Sequence, residues 1–219
     1  MTTTNGQPPV RPGESAPGFT LPAVHQDRAI SLADYRGTPV FLALFLGLWC
    51  PFCRRNIAQL GSTREKLLAQ GVETLAVVAT ELDNARLYFK YRPVPVPLVA
   101  DPALLTHRAY RLPRPQLDEP TLHALASTRI NPTGELPAPV PVTEIGPLLD
   151  RADNFQRTET DAKDLDKQWP SLRAQFLVDR DSIVRWSNIE CEHDGIAGIG
   201  AFPSTDEVLA ATREVGITR

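Results

Sequence analysis

Long apolar runs separated by amphipathic stretches dominate the pattern along the chain. The longest run covers residues 39–49, a second covers 72–79, and a shorter one covers 96–100. Nearly continuous apolar runs are expected for strands that are covered on both faces of a sheet. The segments of helical character that follow these runs are 52–69, 82–91 and the stretch from 101 to about 110. Strands that alternate with helices predict β-α-β units in a three-layer α/β domain.

Short elements precede this core. Residues 19–21 and 29–30 predict two short strands around a turn. Ser31 followed by Asp34 predicts a capped helical turn that ends at Gly37.

The last part of the chain returns to a regular pattern. Residues 174–178 and 183–189 predict a β-hairpin with a turn between them. A final helix is expected to begin at Ser204 or Thr205, which suits a capping box, and to end near residue 215.

A proline-rich stretch interrupts the alternation of strands and helices. Residues 113–147 contain eight prolines in 35 positions, far above the average of about 5%, so no regular element should extend far through them. The charged stretch that follows predicts helices around 148–155 and 162–168. We therefore interpret residues 113–170 as an insertion packed over one edge or end of the sheet.

Composition and charge narrow the class of protein. With 219 residues, 42% of them hydrophobic, the chain can bury one core without disulfides or metals. The predicted layout is a flexible lead-in at 1–15 and one domain at 16–219, interrupted by the insertion. A net charge of −3 without a Lys/Arg stripe argues against a nucleic-acid partner. The longest apolar run is shorter than the roughly 20 residues that a membrane-spanning helix needs.

The polar start of the chain does not have the pattern of a secretory signal peptide, so we expect a cytoplasmic location. Structural disulfides are rare in that compartment. A pair of closely spaced cysteines there is more often catalytic.

Two cysteines, Cys50 and Cys53, lie where the longest apolar run meets the helix that follows it. Pro51 favours the first helical position, so the helix should begin between the cysteines. The free amide groups and dipole of a helix N-terminus favour a thiolate. We therefore predict that Cys50, at the rim, attacks, and that Cys53, about a turn further in, is more covered. Arg54 and Arg55 are expected to lower the thiol pKa further.

Two other interpretations of the cysteines remain open. A C-x-x-C pair can be half of a zinc site, and Cys191 with His193 could supply the other half. Alternatively, the two thiols could be structural, because free cysteine is often buried as a small hydrophobe. Neither interpretation explains Pro51.

The order of elements, a strand, a C-x-x-C helix, a strand, a helix, a strand pair and a last helix, resembles the thioredoxin fold. Four segments are similar more narrowly to peroxiredoxins, the alkyl hydroperoxide reductase and thiol-specific antioxidant family. These segments are 16–21 (APGFTL), 31–37 (SLADYRG), 47–53 (GLWCPFC) and 176–181 (FLVDRD). The similarity covers about 16–110 and 173–215, and it leaves out the insertion.

Three positions decide how much function the resemblance implies. Peroxiredoxins carry Thr or Ser three residues before the attacking cysteine and Pro seven before it, whereas this chain has Gly47 and Ala43. The hydroxyl that would hold a peroxide is therefore missing. Arg173 stands where thioredoxins have a cis-proline and where peroxiredoxins have an arginine that supports the thiolate and the peroxide. The alternative for Arg173 is a solvated side chain beside a strand.

The resemblance implies a thiol-dependent oxidoreductase in which Cys50 reduces a peroxide and Cys53 resolves the product into a Cys50–Cys53 disulfide. Arg173 favours the peroxide as substrate. Gly47 favours our first alternative, thiol-disulfide exchange on protein disulfides. A second alternative is a binding or redox-sensing module with little turnover.

The same resemblance sets the expected partners. We expect no cofactor, because the two thiols carry the electrons. An external reductant, either a thioredoxin-like protein or a low-molecular-weight thiol, must then reduce the disulfide, and a homodimer is compatible with the family. Acidic neighbours should raise the pKa of Cys191, so we interpret it as a bystander.

Overall fold

The computed structural model describes residues 7–214 and 216, and these residues include nine strands and seven α-helices. The strands are β1 (Thr20–Pro22), β2 (Ala29–Ser31), β3 (Val40–Phe45), β4 (Glu73–Val78), β5 (Leu98–Ala100), β6 (Arg129–Ile130), β7 (Val140–Pro141), β8 (Ala174–Val178) and β9 (Val184–Ile189). The helices are α1 (Pro51–Ala69), α2 (Leu82–Tyr91), α3 (Leu105–Ala109), α4 (Glu119–Ser127), α5 (Val142–Ala152), α6 (Glu159–Gln168) and α7 (Thr205–Glu214).

Strand β3 is the centre of a five-stranded sheet with the order β5-β4-β3-β8-β9. It runs parallel to β4 and antiparallel to β8, and β8 forms the predicted hairpin with β9. Alternate side chains of β3 enter two different cores, because successive residues of a strand point to opposite faces. Phe41 and Phe45 belong to one core, and Leu42 and Leu44 belong to the other. The prediction of an α/β domain with a doubly covered central strand is confirmed.

Helix α1 follows the carboxyl end of β3 and carries both cysteines. Its first residue is Pro51 and its N-cap is Cys50, so the helix begins between the two cysteines as predicted. Ile57 and Leu60 have no exposed surface and anchor the helix in the core shared with Phe45. The cysteines are thereby held at the end of the most buried strand.

The insertion contains more regular structure than its prolines suggest. The sequence predicts no extended element in 113–147, but α4 lies in this range, β6 pairs with β7, and α5 already begins at Val142. Pro120 falls in the first turn of α4, where no backbone N–H is needed. Pro147 lies inside α5 and removes one hydrogen bond there, but Ile145 and Leu149 are fully buried and hold the helix. The second predicted helix, 162–168, corresponds to α6.

The lead-in differs from the flexible segment that the sequence predicts for 1–15. Residues 1–6 lie outside the described residues, but Val10 is buried and its N–H donates to the carbonyl of Tyr110 over 3.2 Å. The N–H of Gly13 donates to the carbonyl of Val184 over 2.8 Å. The backbone groups of this segment therefore pair with the end of α3 and with the edge strand β9, which anchors the segment.

Both predicted helix caps are present. The Ser31 N–H donates to Asp34 over 2.9 Å, and the Ser204 N–H donates to Glu207 over 2.7 Å. Helix α7 ends at Glu214, and residue 215 lies outside the described residues. Within 7–214 and 216, no helix combines the length and the apolar character needed to cross a membrane.

Candidate active site

The two thiols of the C-x-x-C motif differ in position and in exposure. Cys50 is the N-cap of α1, and its Sγ accepts a hydrogen bond from the backbone N–H of Cys53 over 3.3 Å. Cys50 retains 4% of its surface, whereas Cys53 retains none. Both are free thiols in this structure. The outer and inner positions that the sequence predicts for the two cysteines therefore match the geometry.

The environment separates the two thiols in acidity. Burial raises the pKa of Cys50, but hydrogen bonds from the Cys53 thiol and backbone and the charge of Arg173 together hold it below the ordinary thiol value. Burial raises the pKa of Cys53 well above that value, and donating to the Cys50 sulfur adds to the rise. Cys50 is the group that ionises first.

Arg173, just before β8, is buried rather than solvated, with 1% of its surface exposed. Its guanidinium donates to Glu190 over 2.5 and 3.2 Å and to the side chain of Asn56. These partners allow a charge to remain in the interior. The guanidinium carbon lies 5.7 Å from the centre of the Phe52 ring, between the cysteines in sequence. The interpretation of Arg173 as a solvated side chain is therefore wrong.

Gln168, the last residue of α6, is a site residue that the sequence analysis missed. It is fully buried, and its Oε1 accepts hydrogen bonds from the Gly47 N–H over 2.6 Å and from Trp49 Nε1 over 2.7 Å. Its Nε2 donates to the carbonyl of Ala79. Gln168 therefore joins the insertion to the loop that presents Cys50. The signal that could have indicated it is the glycine at position 47, which permits a close approach.

Gly47 has no room for a side chain. A Cβ atom at this position would lie 3.0 Å from Gln168 Oε1, 3.0 Å from Thr80 Oγ1 and 2.9 Å from a Trp49 ring carbon. The Thr80 hydroxyl is itself engaged, because it accepts from the Leu48 N–H over 3.0 Å and donates to a carboxylate of α6 over 3.2 Å. The loop before Cys50 is thus packed tightly against the insertion.

Arg54 and Arg55 turn toward the insertion rather than toward the thiols. Arg54 donates to Asp150 over 2.7 Å and to Asp153 over 2.9 Å, and its second nitrogen donates to the Leu48 carbonyl over 2.6 Å. Arg55 donates to Asp153 over 2.7 Å. The charge that favours the Cys50 thiolate therefore comes from Arg173, whereas Arg54 and Arg55 fasten α5.

A cavity of about 320 Å³ opens beside Cys50, between the C-x-x-C turn and the insertion. Such a volume is at the lower end of the range for small-molecule sites, roughly 300–1,000 Å³. Trp49 and Arg173 line it, as does Pro170, which follows a cis peptide bond. Cys191 lines it too, but burial and the neighbouring Glu190 raise the pKa of Cys191 to about 12. This thiol stays protonated near neutral pH, in keeping with its interpretation as a bystander.

Residues 7–214 and 216 contain no group of three or more His, Cys, Asp and Glu side chains placed to hold a metal ion.

Curated relatives and solved structures that resemble this chain point to the same class of fold. Thiol-disulfide oxidoreductase ResA from Bacillus thuringiensis subsp. konkukian is 34% identical over 73 residues, which are 33% of this chain and 41% of that protein. ResA from Bacillus anthracis matches to the same extent. This chain therefore spans about two fifths of the length of the curated relatives it matches.

The solved structures support the thioredoxin-like fold. The 2-Cys peroxiredoxin of Plasmodium vivax matches with a TM-score of 0.58 and 16% identity, covering 93% of this chain and 95% of that one. Peroxidoxin BcpB of Mycobacterium tuberculosis matches with a TM-score of 0.57 and 14% identity, covering 94% and 97%. A putative protein disulfide isomerase of Bacteroides thetaiotaomicron matches with a TM-score of 0.52 and 15% identity, covering 95% and 91%. The predicted thioredoxin-like fold is confirmed.

The family itself is identified by sequence. The profile of the AhpC/TSA family matches residues 12–187, which include both cysteines, the insertion and Arg173. The match extends over most of the chain and agrees with the four segments that resemble peroxiredoxins. The chain belongs to the AhpC/TSA family.

Proposed function

We propose that this protein is a thiol-disulfide oxidoreductase in which Cys50 attacks a disulfide and Cys53 resolves the mixed disulfide. The observation that carries the proposal is the asymmetry of the two thiols. Cys50 is an N-cap thiol that accepts the Cys53 N–H over 3.3 Å and has a lowered pKa, whereas Cys53 is fully buried and has a raised pKa.

The reaction follows from this order of acidity. The Cys50 thiolate attacks one sulfur of the substrate disulfide, forms a mixed disulfide, and expels the first thiolate, which takes a proton from solvent. Cys53 then loses its proton and attacks the Cys50 sulfur, which expels the second thiolate and leaves a Cys50–Cys53 disulfide. The substrate gains two electrons, and the protein dithiol loses them.

Cys53 is the better resolving thiol because it becomes reactive only once the Cys50 charge is gone. The negative charge of Cys50 is one cause of the raised pKa of Cys53. Formation of the mixed disulfide removes that charge, so the pKa of Cys53 falls at the step where its thiolate is needed.

The groups around Cys50 favour a disulfide over a peroxide as the oxidant. Gly47 supplies no hydroxyl, and the nearby Thr80 hydroxyl is engaged with Leu48 and α6. The Arg173 guanidinium donates to Glu190, Asn56 and the Ala201 carbonyl, which takes up four of its five N–H donors. These observations leave few free donors to hold peroxide oxygens beside the thiolate.

Peroxide reduction is the second candidate, and Arg173 is the observation in its favour. Its positive charge is one of the causes of the lowered Cys50 pKa, as expected of an arginine that supports a peroxidatic thiolate. The same two cysteines would then pass from a Cys50 sulfenic acid to the intramolecular disulfide, with loss of water. If neither oxidant reacts rapidly, the protein is a binding or redox-sensing module with little turnover.

An external thiol reductant must reduce the Cys50–Cys53 disulfide in either cycle, and we propose a thioredoxin-like protein or a low-molecular-weight thiol. The proposal retains the cytoplasmic location, where such reductants keep thiols reduced. A homodimer remains a prediction.

The test compares two oxidants on the same reduced protein. Bis(2-hydroxyethyl) disulfide and hydrogen peroxide are mixed with the protein in separate stopped-flow runs, with tryptophan fluorescence as the signal. We expect Cys53→Ser to accumulate one mercaptoethanol adduct on Cys50 by mass spectrometry, and Cys50→Ser to accumulate none. Cys191→Ser is the matched control and should behave as the unmodified protein.

Either of two results would overturn the proposal. One is a disulfide rate that only equals the free-thiol rate, which would establish the peroxidase if the peroxide rate is far above that of a free thiol, and a binding or sensing module if it is not. The other is an adduct on Cys53 or Cys191 in place of Cys50.

A further inference from the structure

The approach to Cys50 passes through the cavity under the insertion. Cys50 keeps only 4% of its surface, and the flanking Trp49 and Phe52 are also buried. On the opposite side, the insertion contributes Leu117 before α4, Leu125 within α4 and Ile145 within α5. A substrate sulfur that meets Cys50 must therefore share this confined space with the side chains of the insertion.

The walls of the cavity are held by buried polar contacts. The Arg54 side chain keeps 3% of its surface, and its ion pair with Asp150 joins α1 to α5. Arg157 donates to the other oxygen of Asp150 over 2.9 Å. Breaking a buried ion pair by loss of one partner is strongly destabilising. The insertion thus forms a fixed wall over Cys50 in the state described.

The charged groups that line the cavity are compensated within the protein. Arg173 pairs with Glu190, and Arg157 pairs with Asp150. Asp118 accepts the Thr121 N–H over 2.9 Å as the N-cap of α4. Burying a further charge without a partner is costly. A neutral substrate fits this wall better than a charged one.

The lining of the cavity includes a partly exposed leucine beside polar neighbours. Leu117 lines it while leaving 38% of its surface exposed. Leu122, five residues later, is 51% exposed and does not line the cavity. An exposed leucine at the entrance offers an apolar surface to an incoming molecule, and the second leucine provides a comparison on the same segment.

We propose that this cavity selects a low-molecular-weight disulfide with a neutral, apolar body in preference to a charged disulfide or a protein disulfide. The inference rests on the proposed function and names its substrate class. Each turnover converts one such disulfide, RSSR, into two thiols while the Cys50 and Cys53 thiols become a disulfide. An external dithiol then returns two electrons to the protein.

The test uses three symmetrical disulfides and one protein. The small molecules are dibutyl disulfide, bis(2-hydroxyethyl) disulfide and the dianion 3,3′-dithiodipropionate, and the protein is insulin. Each rate constant is divided by that of N-acetylcysteine thiolate with the same disulfide, which removes differences in intrinsic reactivity. We expect dibutyl disulfide to exceed the dianion by about tenfold after this division, the size of effect that one or two methylene contacts give in an apolar pocket.

Two substitutions locate the selectivity. Leu117→Glu should lower the normalised dibutyl disulfide rate by about tenfold and lower the normalised bis(2-hydroxyethyl) disulfide rate by a smaller factor. Leu122→Glu, the matched control, should change neither rate. Both side chains are exposed in part, so neither change removes a buried core residue.

A non-reacting probe separates failure of the site from failure of the chemistry. Dibutyl sulfide should quench or shift tryptophan fluorescence in Cys50→Ser, and the effect should weaken in the Cys50→Ser/Leu117→Glu double variant. Normalised rates near one for all four disulfides would overturn the proposed function and this inference with it. Enhanced rates without preference for dibutyl disulfide, or insulin as the best substrate, would overturn only the inference.

Discussion

The two walls around Cys50 are built by different physical means. The wall on the side of the sheet consists of apolar strands and of Arg173, and it sets the acidity of the thiol. The wall formed by the insertion is fastened through polar contacts, namely Arg54 with Asp150 and Gln168 with the loop before Cys50. The comparison indicates that the sheet side determines reactivity and the insertion side determines access.

Arg173→Met should have the largest effect, because it leaves Glu190 buried without its partner. Removing one member of a buried ion pair costs about 3–5 kcal/mol of unfolding free energy. The pKa of Cys50 should also rise, since the charge of Arg173 is a cause of its lowering. Urea denaturation and the pH dependence of alkylation measure the two effects.

Arg185→Met is the control for this change. Arg185 pairs with Asp179 on the same hairpin, but its side chain is 45% exposed. The loss of unfolding free energy should be below about 1 kcal/mol, as for surface ion pairs, and the Cys50 pKa should not change. Equal effects of the two variants would contradict the role assigned to Arg173.

Arg54→Met tests how the insertion is held. It should lower the unfolding free energy by about 3 kcal/mol, slightly less than Arg173→Met, because Asp150 keeps Arg157 as a partner. The thiol pKa should stay nearly unchanged, while the preference among disulfides is lost as the wall loosens. Arg86→Met, which breaks an exposed pair with Asp27, is the matched control. A rise in Cys50 pKa as large as that in Arg173→Met would contradict the separation of reactivity from access.

His107 contrasts with Arg173, because the buried polar atoms of its ring are unpaired. It is buried with no hydrogen-bond partner for either ring nitrogen, and burial lowers its pKa to about 4. Below pH 6.5, His107 binds a proton in the unfolded chain, whereas in the folded protein it stays neutral until the pH approaches about 4. Stability is therefore lost as the pH falls from about 6.5 to about 4, by about 2 kcal/mol at pH 5.

The His107→Leu variant should lack this acid-dependent loss. Denaturant titrations at pH 7 and pH 5 on both proteins give the difference directly, and contributions of other groups cancel. If the difference in unfolding free energy between the two proteins is the same at both pH values, His107 is protonated equally in the folded and unfolded states, which would contradict this account.

The smallest expected effect is a coupling between Gly47 and Gln168. Gly47→Ala should destabilise the protein, because the new Cβ would lie 3.0 Å from Gln168 Oε1. Gln168→Ala leaves two N–H groups unpaired but removes that clash, so the double variant should be more stable than the sum of the single changes by about 1 kcal/mol. Additive losses in urea denaturation would mean that the two residues do not meet as described.

The sequence predicted the elements whose signals are local. The apolar run at β3, the hairpin of β8 and β9, and the helix start at Pro51 all follow from neighbouring residues. The order of the two thiols, with Cys50 outside and Cys53 inside, came from the same local reasoning.

The contacts that shape the site depend on partners far away in the sequence. Gln168 lies 121 positions from Gly47, and Asp150 lies 96 positions from Arg54. A sequence pattern does not show such pairs, because they are set by where the insertion folds back. For the same reason, the prediction that the charge of Arg54 acts on the thiols was wrong: its acidic partners lie in α5 and directly after it.

The ionisation of Cys50 tests the central claim most directly. In a Cys191→Ser background, which retains both thiols of the motif, the reduced protein is alkylated with iodoacetamide over a range of pH, and the modified residue is identified by mass spectrometry. The account predicts that Cys50 is modified first, with a midpoint below the ordinary thiol value. Modification of Cys53 first, or a Cys50 midpoint at or above that value, would contradict it.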